Sequence, residues 1–238
     1  MCGIAGFVGA GDGAVLRRMT DRLVHRGPDA QGFFEKPEAG VFLGHRRLSI
    51  IDLSGGAQPM STADGQTVIV FNGEIYNHAD LRAELQARGH VFATDHSDTE
   101  VLLYAWREWG PAMLDRLNGM WAFVIYDTSN EILFCSRDRV GVKPFYYFID
   151  ENKFLFASEQ KAILHSQLIA KKINKQSAFD YLSFNETEHH PQGMIEGIIE
   201  LPPAHPLIVN ISSAQISVQQ YYSLQVNLEA ATDRKSVV

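Results

Sequence analysis

The 238-residue sequence is 45% hydrophobic, enough to bury one large core or two small ones. Asp and Glu outnumber Lys and Arg by 28 to 21, giving a net charge of -7 with no strongly basic run, which argues against a nucleic-acid partner. No stretch nears the roughly 18 consecutive apolar residues of a membrane helix, and the start lacks a charged segment leading into an apolar one, so a cytoplasmic protein is expected.

In chain order, the first residues are the most telling. If Met1 is removed, Cys2 carries a thiol and a free α-amine, a nucleophile and a base on one carbon skeleton. An α-amine ordinarily titrates near ~7.7 to 8.0 and a thiol near ~8.5, so proton transfer between them costs little at neutral pH. Position alone does not separate this from an ordinary buried cysteine. The run Gly3 to Gly9 alternates small and apolar residues and predicts a buried strand that fixes the terminus.

Val15 to His25 places Leu16, Met19 and Leu23 on one helical face and ends at a turn, His25-Arg26-Gly27-Pro28-Asp29. Apolar runs at Gly32–Phe34, Val41–Gly44, Arg47–Ile51 and Thr67–Phe71 read as strands. Asn77 is placed to cap a helix from His78 to Arg88, and Ser97 or Asp98 one from Thr99 to Trp109. Four more strands follow: Trp121–Tyr126, Ile132–Ser136 with Cys135 in its core, Phe145–Phe148 and Phe154–Ala157. Helices at Glu159–Leu164 and Lys175–Leu182, a polar loop from Asn185 to Gly193 and a hairpin near Ala204–Tyr222 complete the pattern. Strands in two groups with helices between and after them predict an α+β fold, two sheets sandwiched by helices. Residues 1–228 are read as one domain and Glu229–Val238 as a loose tail. Cys2 and Cys135, in a reducing compartment, are expected to be free thiols.

Taken together and in this order, Cys2-Gly3-Ile4, His25-Arg26-Gly27-Pro28-Asp29, Arg47-Leu48-Ser49-Ile50-Ile51-Asp52, Asn72-Gly73-Glu74-Ile75-Tyr76-Asn77 and Ser97-Asp98-Thr99-Glu100 resemble the class II glutamine amidotransferases. Arg137 to Pro144, Phe156-Ala157-Ser158-Glu159 and Leu201 to His205 resemble the asparagine synthetase branch of that family. The resemblance spans nearly the whole chain. It implies a four-layer α-β-β-α sandwich of two mainly antiparallel sheets, the N-terminal nucleophile hydrolase type. It also implies hydrolysis of glutamine to glutamate and ammonia through a Cys2 γ-glutamyl thioester, the ammonia passing to a synthetase domain or subunit.

The implied roles suit the chemistry of the residues. Glutamine presents a carboxylate, an ammonium and a neutral amide, so its site needs a cation, carboxylates and an oxyanion stabiliser. Arg47 would hold the carboxylate with its planar fork of donors. Leu48, Ser49, Ile50 and Ile51 would line the pocket, Leu48 and Ile50 as walls. Asp98, helped by Glu74, would pair with the ammonium. Asn72 and Gly73 resemble the family's oxyanion hole, with the bare Gly73 letting substrate approach its N–H; loss of one such donor costs ~2.7 to 4 kcal/mol of barrier. Read as plain residues, Arg47 is a surface arginine beside Arg46, Asp98 a helix cap and Asn72-Gly73 a hairpin turn.

This domain is expected to need no metal and no organic cofactor, with ATP and Mg belonging to the synthetase half, which the sequence lacks. The resemblance leaves a homodimer open. Ser54-Gly55-Gly56-Ala57-Gln58 looks like a pyrophosphate loop but lacks the Asp of such loops, and Glu186, Glu188, His189 and His190 do not match a metal-helix spacing. Trp106, Trp109 and Trp121 sit at core spacings, and Arg26 and Asp29 are expected to brace the turn near the active terminus. Ala204 stands where the family more often has Gly. Two rival readings remain: a catalytically silent glutamine-binding or docking module, and an N-terminal nucleophile amidase for another amide.

Overall fold

Alternate residues of strand β1 (Gly3–Gly9) face two different cores. Ile4 and Val8 join one buried cluster, while Ala5 and Phe7 join another. A strand covered on both faces must be apolar on both, which is why this run shows no polar alternation. The computed structural model describes residues 1–49, 56–186, 192–213 and 215–224. The expectations for Ile50, Ile51, Asp52, Ser54, Gly55, Glu188, His189, His190 and the tail from Glu229 lie outside these residues.

After β1 come helix α1 (Gly13–Asp21), β2 (Ala30–Lys36), β3 (Val41–Arg47), β4 (Met60–Ser61) and β5 (Thr67–Ile75). Three helices follow: α2 (His78–Ala87), α3 (Asp98–Trp109) and the short α4 (Met113–Arg116). Next are β6 (Gly119–Asp127), β7 (Ile132–Arg137), β8 (Tyr146–Ile149) and β9 (Lys153–Ala157), then α5 (Gln160–His165) and α6 (Lys175–Phe184). Three strands close the order: β10 (Ile199–Glu200), β11 (Pro206–Asn210) and β12 (Ile216–Val218).

The described strands form two six-stranded sheets, ordered β10-β8-β9-β1-β3-β2 and β12-β11-β7-β6-β5-β4. Each strand pairing is antiparallel, as expected for sheets built from hairpins and crossovers. Ile4, Val8, Val41, Leu43, Val68, Val70, Ala122 and Val124 fill the space between the sheets. Phe7, Phe42 and Leu155 pack with Leu16 and Met19 of α1 and Ile163 of α5 on the outer face of the first sheet. Ile69, Phe71, Phe123 and Ile125 pack with Leu81 and Leu85 of α2 and Val101 and Leu102 of α3 on the outer face of the second. The result is the four-layer α-β-β-α sandwich.

Several boundaries differ from the sequence reading for local reasons. Helix α1 begins at Gly13 because the Asp12 carboxylate accepts the N–H groups of Ala14 and Val15 at 3.0 and 3.1 Å. It ends at Asp21, so Leu23 lies in the following turn. The runs Val41–Gly44 and Arg47–Ile51 predict two strands, but one strand, β3, covers Val41–Arg47 and stops before Leu48. Its last residues are polar because the inner core ends there. Asn77 does not cap α2: its amide donates to the Arg116 carbonyl at 2.9 Å and its oxygen accepts the Asn118 N–H at 2.9 Å. Ser97, by contrast, caps α3 by accepting the Glu100 N–H at 3.3 Å.

Candidate active site

The same period-two alternation that builds the inner core carries side chains into a cavity where that core runs out. In β5 the set Val68, Val70 continues to Asn72 and Glu74; in β3 the set Val41, Leu43 continues to His45 and Arg47. Extending Ile4 of β1 backwards by the same step reaches Cys2. A cavity of about 230 Å³ opens at this end and is lined by Cys2, Arg47, Leu48, Asn72, Gly73, Glu74 and Asp98 among others. Seven of the residues singled out in the sequence therefore meet in one place. Ser49 does not line it: its N–H donates to the Asp29 carboxylate at 2.7 Å, which pins the turn after β3.

Cys2 is half-buried, and its thiol donates to the Leu48 carbonyl at 3.8 Å. The Cys2 carbonyl accepts from Arg26 Nε at 3.0 Å, and Arg26 Nη1 donates to Glu159 at 3.1 Å. His25 and Lys161 also reach Glu159, so the turn after α1 and the start of α5 clamp the terminus from outside. Ile4, two residues on, donates its N–H to Ser158 Oγ at 3.0 Å, while its carbonyl accepts the Ser158 N–H at 2.9 Å. These bonds explain why a chain terminus is held rather than frayed.

Asn72 is 1% exposed, and its Nδ2 has no hydrogen-bond partner among the described residues. A buried amide N–H left without an acceptor costs free energy, about 1 to 3 kcal/mol, so its presence in the same cavity as the Cys2 thiol is informative. Asn72 and Gly73 pair with Ala122 and Trp121 within the β5–β6 ladder, which excludes a hairpin turn. Gly73 has a different reason from the one its sequence context implies: a Cβ there would lie 2.2 Å from the Met120 carbonyl oxygen. The neighbouring strand, as much as any ligand, forbids a side chain.

Asp98 starts α3, and its carboxylate accepts the Ile75 N–H at 3.1 Å. Burial raises its pKa above the usual carboxylate range, against the lowering effect of that bond, His78 and the Thr99 N–H. Arg46 and Arg47 part company by strand parity: Arg46 reaches outward to the Thr20 carbonyl and the Asp21 carboxylate of α1, while Arg47 lines the cavity.

The sequence motifs give Gln58 and Lys143 no role of their own in the site. Gln58 Oε1 accepts the Phe71 N–H at 2.6 Å and its Nε2 donates to Thr99 Oγ1 at 3.4 Å, tying β5 to α3 at the cavity wall. Lys143 lines the cavity from the loop after β7. Its signal was present, since it falls inside the quoted string Arg137 to Pro144.

Two face-to-face antiparallel sheets with a cysteine at the head of an inner strand, opposed by an amide on the other sheet, define an N-terminal nucleophile hydrolase type of fold. The glutamine phosphoribosylpyrophosphate amidotransferase of Bacillus subtilis, solved with ADP and GMP, shares that fold with a TM-score of 0.67 at 18% identity, over 95% of this chain and 50% of that one. The family described as the glutamine amidotransferase domain matches residues 1–222, and the chain belongs to it. Asparagine synthetase [glutamine-hydrolyzing] 3 of Bacillus subtilis is 40% identical over 232 residues, 94% of this chain and 37% of that protein. A putative asparagine synthetase [glutamine-hydrolyzing] 2 of Methanocaldococcus jannaschii is 34% identical over 100% of this chain and 49% of its own length. The chain thus spans less than half the length of these curated relatives.

Proposed function

We propose that this chain hydrolyses L-glutamine to L-glutamate and ammonia through a γ-glutamyl thioester on Cys2. The observation that carries the reading is the unpartnered, buried Nδ2 of Asn72 in the same cavity as the Cys2 thiol. A donor held without an acceptor is what a developing oxyanion requires. Arg47 would take the substrate carboxylate, and Asp98 with Glu74 the ammonium.

Removal of Met1 frees the α-amine of Cys2, which takes the thiol proton as the sulfur attacks the side-chain amide carbon. The resulting oxyanion is held by the Asn72 amide and the Gly73 N–H. The α-ammonium returns its proton to the amide nitrogen, the C–N bond breaks and ammonia leaves. A water molecule, deprotonated by the same amine, adds to the thioester; the C–S bond breaks and glutamate departs with the thiol restored.

The names of the relatives support a role for residues 1–228 as the glutaminase portion of an asparagine-synthetase-like amide ligase, its ammonia consumed by an ATP- and Mg-dependent portion that amidates aspartate or a related acid. The domain's own steps use no cofactor. A cytoplasmic setting suits two free thiols, and among the described residues no helix is long and apolar enough to cross a membrane.

Ammonia release from glutamine by the purified chain, with intact mass confirming loss of Met1, tests the reading. Release that disappears in Cys2→Ala supports it. Equal release by Cys2→Ala, or none by fully processed wild-type protein, overturns it, the second result leaving a glutamine-binding module.

A further inference from the structure

Lys143 stands out among the cavity residues because it is 5% exposed and no carboxylate pairs with its ammonium among the described residues. Its stem is covered while the ammonium keeps an opening onto the cavity, the arrangement that lets an anion reach it. Its backbone is fixed with unusual thoroughness. The Lys143 N–H donates to Asp138 Oδ2 at 2.9 Å, and its carbonyl accepts from Arg137 Nε at 2.9 Å. Asp138, fully buried, also accepts from Val140, Val142 and Trp121, while Arg137 donates to the carbonyls of Leu201 and Gly141. Gly141 allows the loop to turn, at φ +72°. The loop therefore has one geometry, and that geometry delivers Lys143 to the wall of the cavity that holds Cys2.

We propose that the Lys143 ammonium is the counter-charge for the anion that forms at Cys2, the thiolate before attack and the tetrahedral adduct after it. It moves no proton; the α-amine does that. The charges facing Lys143 are those of Arg26, Asp138, Cys2 and Glu74. Burial and Arg26 hold its pKa below the usual lysine range, and the three anionic groups oppose that shift. Arg47 and Asp98 line the same cavity, but the proposed reading engages them with the substrate's own carboxylate and ammonium. Arg26, the other cation near Cys2, is engaged by the Cys2 carbonyl and Glu159 and does not line the cavity, which leaves Lys143 for the reacting end. The inference rests on the glutaminase reading for its chemistry, and its test reads the thiol directly, so the two fail separately.

The test compares alkylation of Cys2 by anionic iodoacetate and neutral iodoacetamide at one pH, with Cys2→Ala as background; Cys135 is fully buried and is expected to stay silent. A local positive charge favours the anionic reagent. Lys143→Met should lower the iodoacetate-to-iodoacetamide rate ratio by about tenfold or more, tenfold being what a unit charge about 12 Å away exerts at an effective dielectric of about 20. Lys143→Arg should retain most of the ratio. In glutaminase turnover, Lys143→Met should lower kcat with little change in KM. An unchanged ratio in a folded Lys143→Met protein overturns the proposal. Should that variant not fold, Lys143→Gln is measured in its place: a lowered ratio supports the proposal and an unchanged one overturns it equally.

Discussion

His45 Nε2 donates to the Phe71 carbonyl at 3.1 Å and in doing so joins the two sheets at the floor of the cavity. His45 pairs with Ile4 in the β1–β3 ladder, two residues from Cys2, and Phe71 immediately precedes Asn72 in β5. The bond therefore ties the strand that presents Cys2 to the strand that presents Asn72. Its requirement is a neutral imidazole protonated on Nε2; Nδ1 is buried without a partner among the described residues.

A pH-dependent stability follows. Burial, the largest cause, lowers the His45 pKa from 6.5 to about 4, with Arg47 adding to it and the Phe71 bond opposing it. Above 6.5 neither folded nor unfolded chain protonates this ring, so its full contribution is present. Below 6.5 the unfolded chain binds a proton that the folded chain refuses, and stability falls until the pH reaches about 4. The drop attributable to this group is about 3 kcal/mol. Urea midpoints measured between pH 7.5 and 4.5 should fall less steeply in His45→Gln than in wild type. Parallel profiles would assign the acid sensitivity elsewhere.

Asn72→Ala should separate activity from stability. Glutaminase kcat is expected to fall by about 10² to 10³, the loss typical for one oxyanion donor. The thermal midpoint should change little, because the amide Nδ2 makes no bond to the described residues that the substitution could remove. A variant with near-normal kcat, or one that loses activity only by unfolding, would contradict the assignment.

How far the sequence foretells this site depends on which physical signal each residue carries. Val68, Val70 and Ile4 announce buried strands by composition, and parity then places Asn72 and Glu74 without any knowledge of the partner sheet. Cys2, Arg47 and Asp98, far apart in sequence, were legible only through the resemblance of their motifs. Gln58 and Lys143 escaped because their roles depend on contacts across the fold. Gln58 bonds Phe71 and Thr99, 13 and 41 residues away, and no local pattern encodes such bridges. Ala204 illustrates the converse: the resemblance favours Gly there, and the structure gives the reason, a φ of +61° that Ala adopts at some cost.

Gly73→Ala tests whether the cavity wall tolerates a methyl group. The new Cβ would sit 2.2 Å from the Met120 carbonyl oxygen and 2.8 Å from Trp121 Cα, both backbone atoms of the paired strand. Relief requires β5 to separate from β6, so a destabilisation of about 1 to 3 kcal/mol is expected, together with loss of turnover. Gly65→Ala is the matched control. Gly65, unlike Gly73, lies at positive φ, +68°, but a Cβ there meets nothing within 4 Å, so only the backbone cost of about 1 kcal/mol applies and turnover should persist. Similar urea midpoints for the two variants would remove the argument from strand contact.

Asp98→Asn should exchange affinity for stability. Burial raises the Asp98 pKa in the folded chain, which means the ionised carboxylate is held at a cost; a raised carboxylate contributes stability that is complete at low pH and lost as the pH rises through the folded value. Asparagine keeps an oxygen that can accept the Ile75 N–H, now at 3.1 Å, and carries no charge to desolvate. The urea midpoint at pH 7.5 is therefore expected to rise slightly. Binding of the glutamine ammonium loses a charged partner, for which about 1.5 to 3 kcal/mol is the usual scale, so KM should increase by about 10- to 100-fold with a smaller effect on kcat. The pH dependence gives a second readout. In wild type, KM should climb as the pH falls toward the Asp98 pKa from above, and in Asp98→Asn that climb should vanish. A variant whose KM matches wild type at neutral pH would place the ammonium elsewhere and return Asp98 to its role as the first residue of α3.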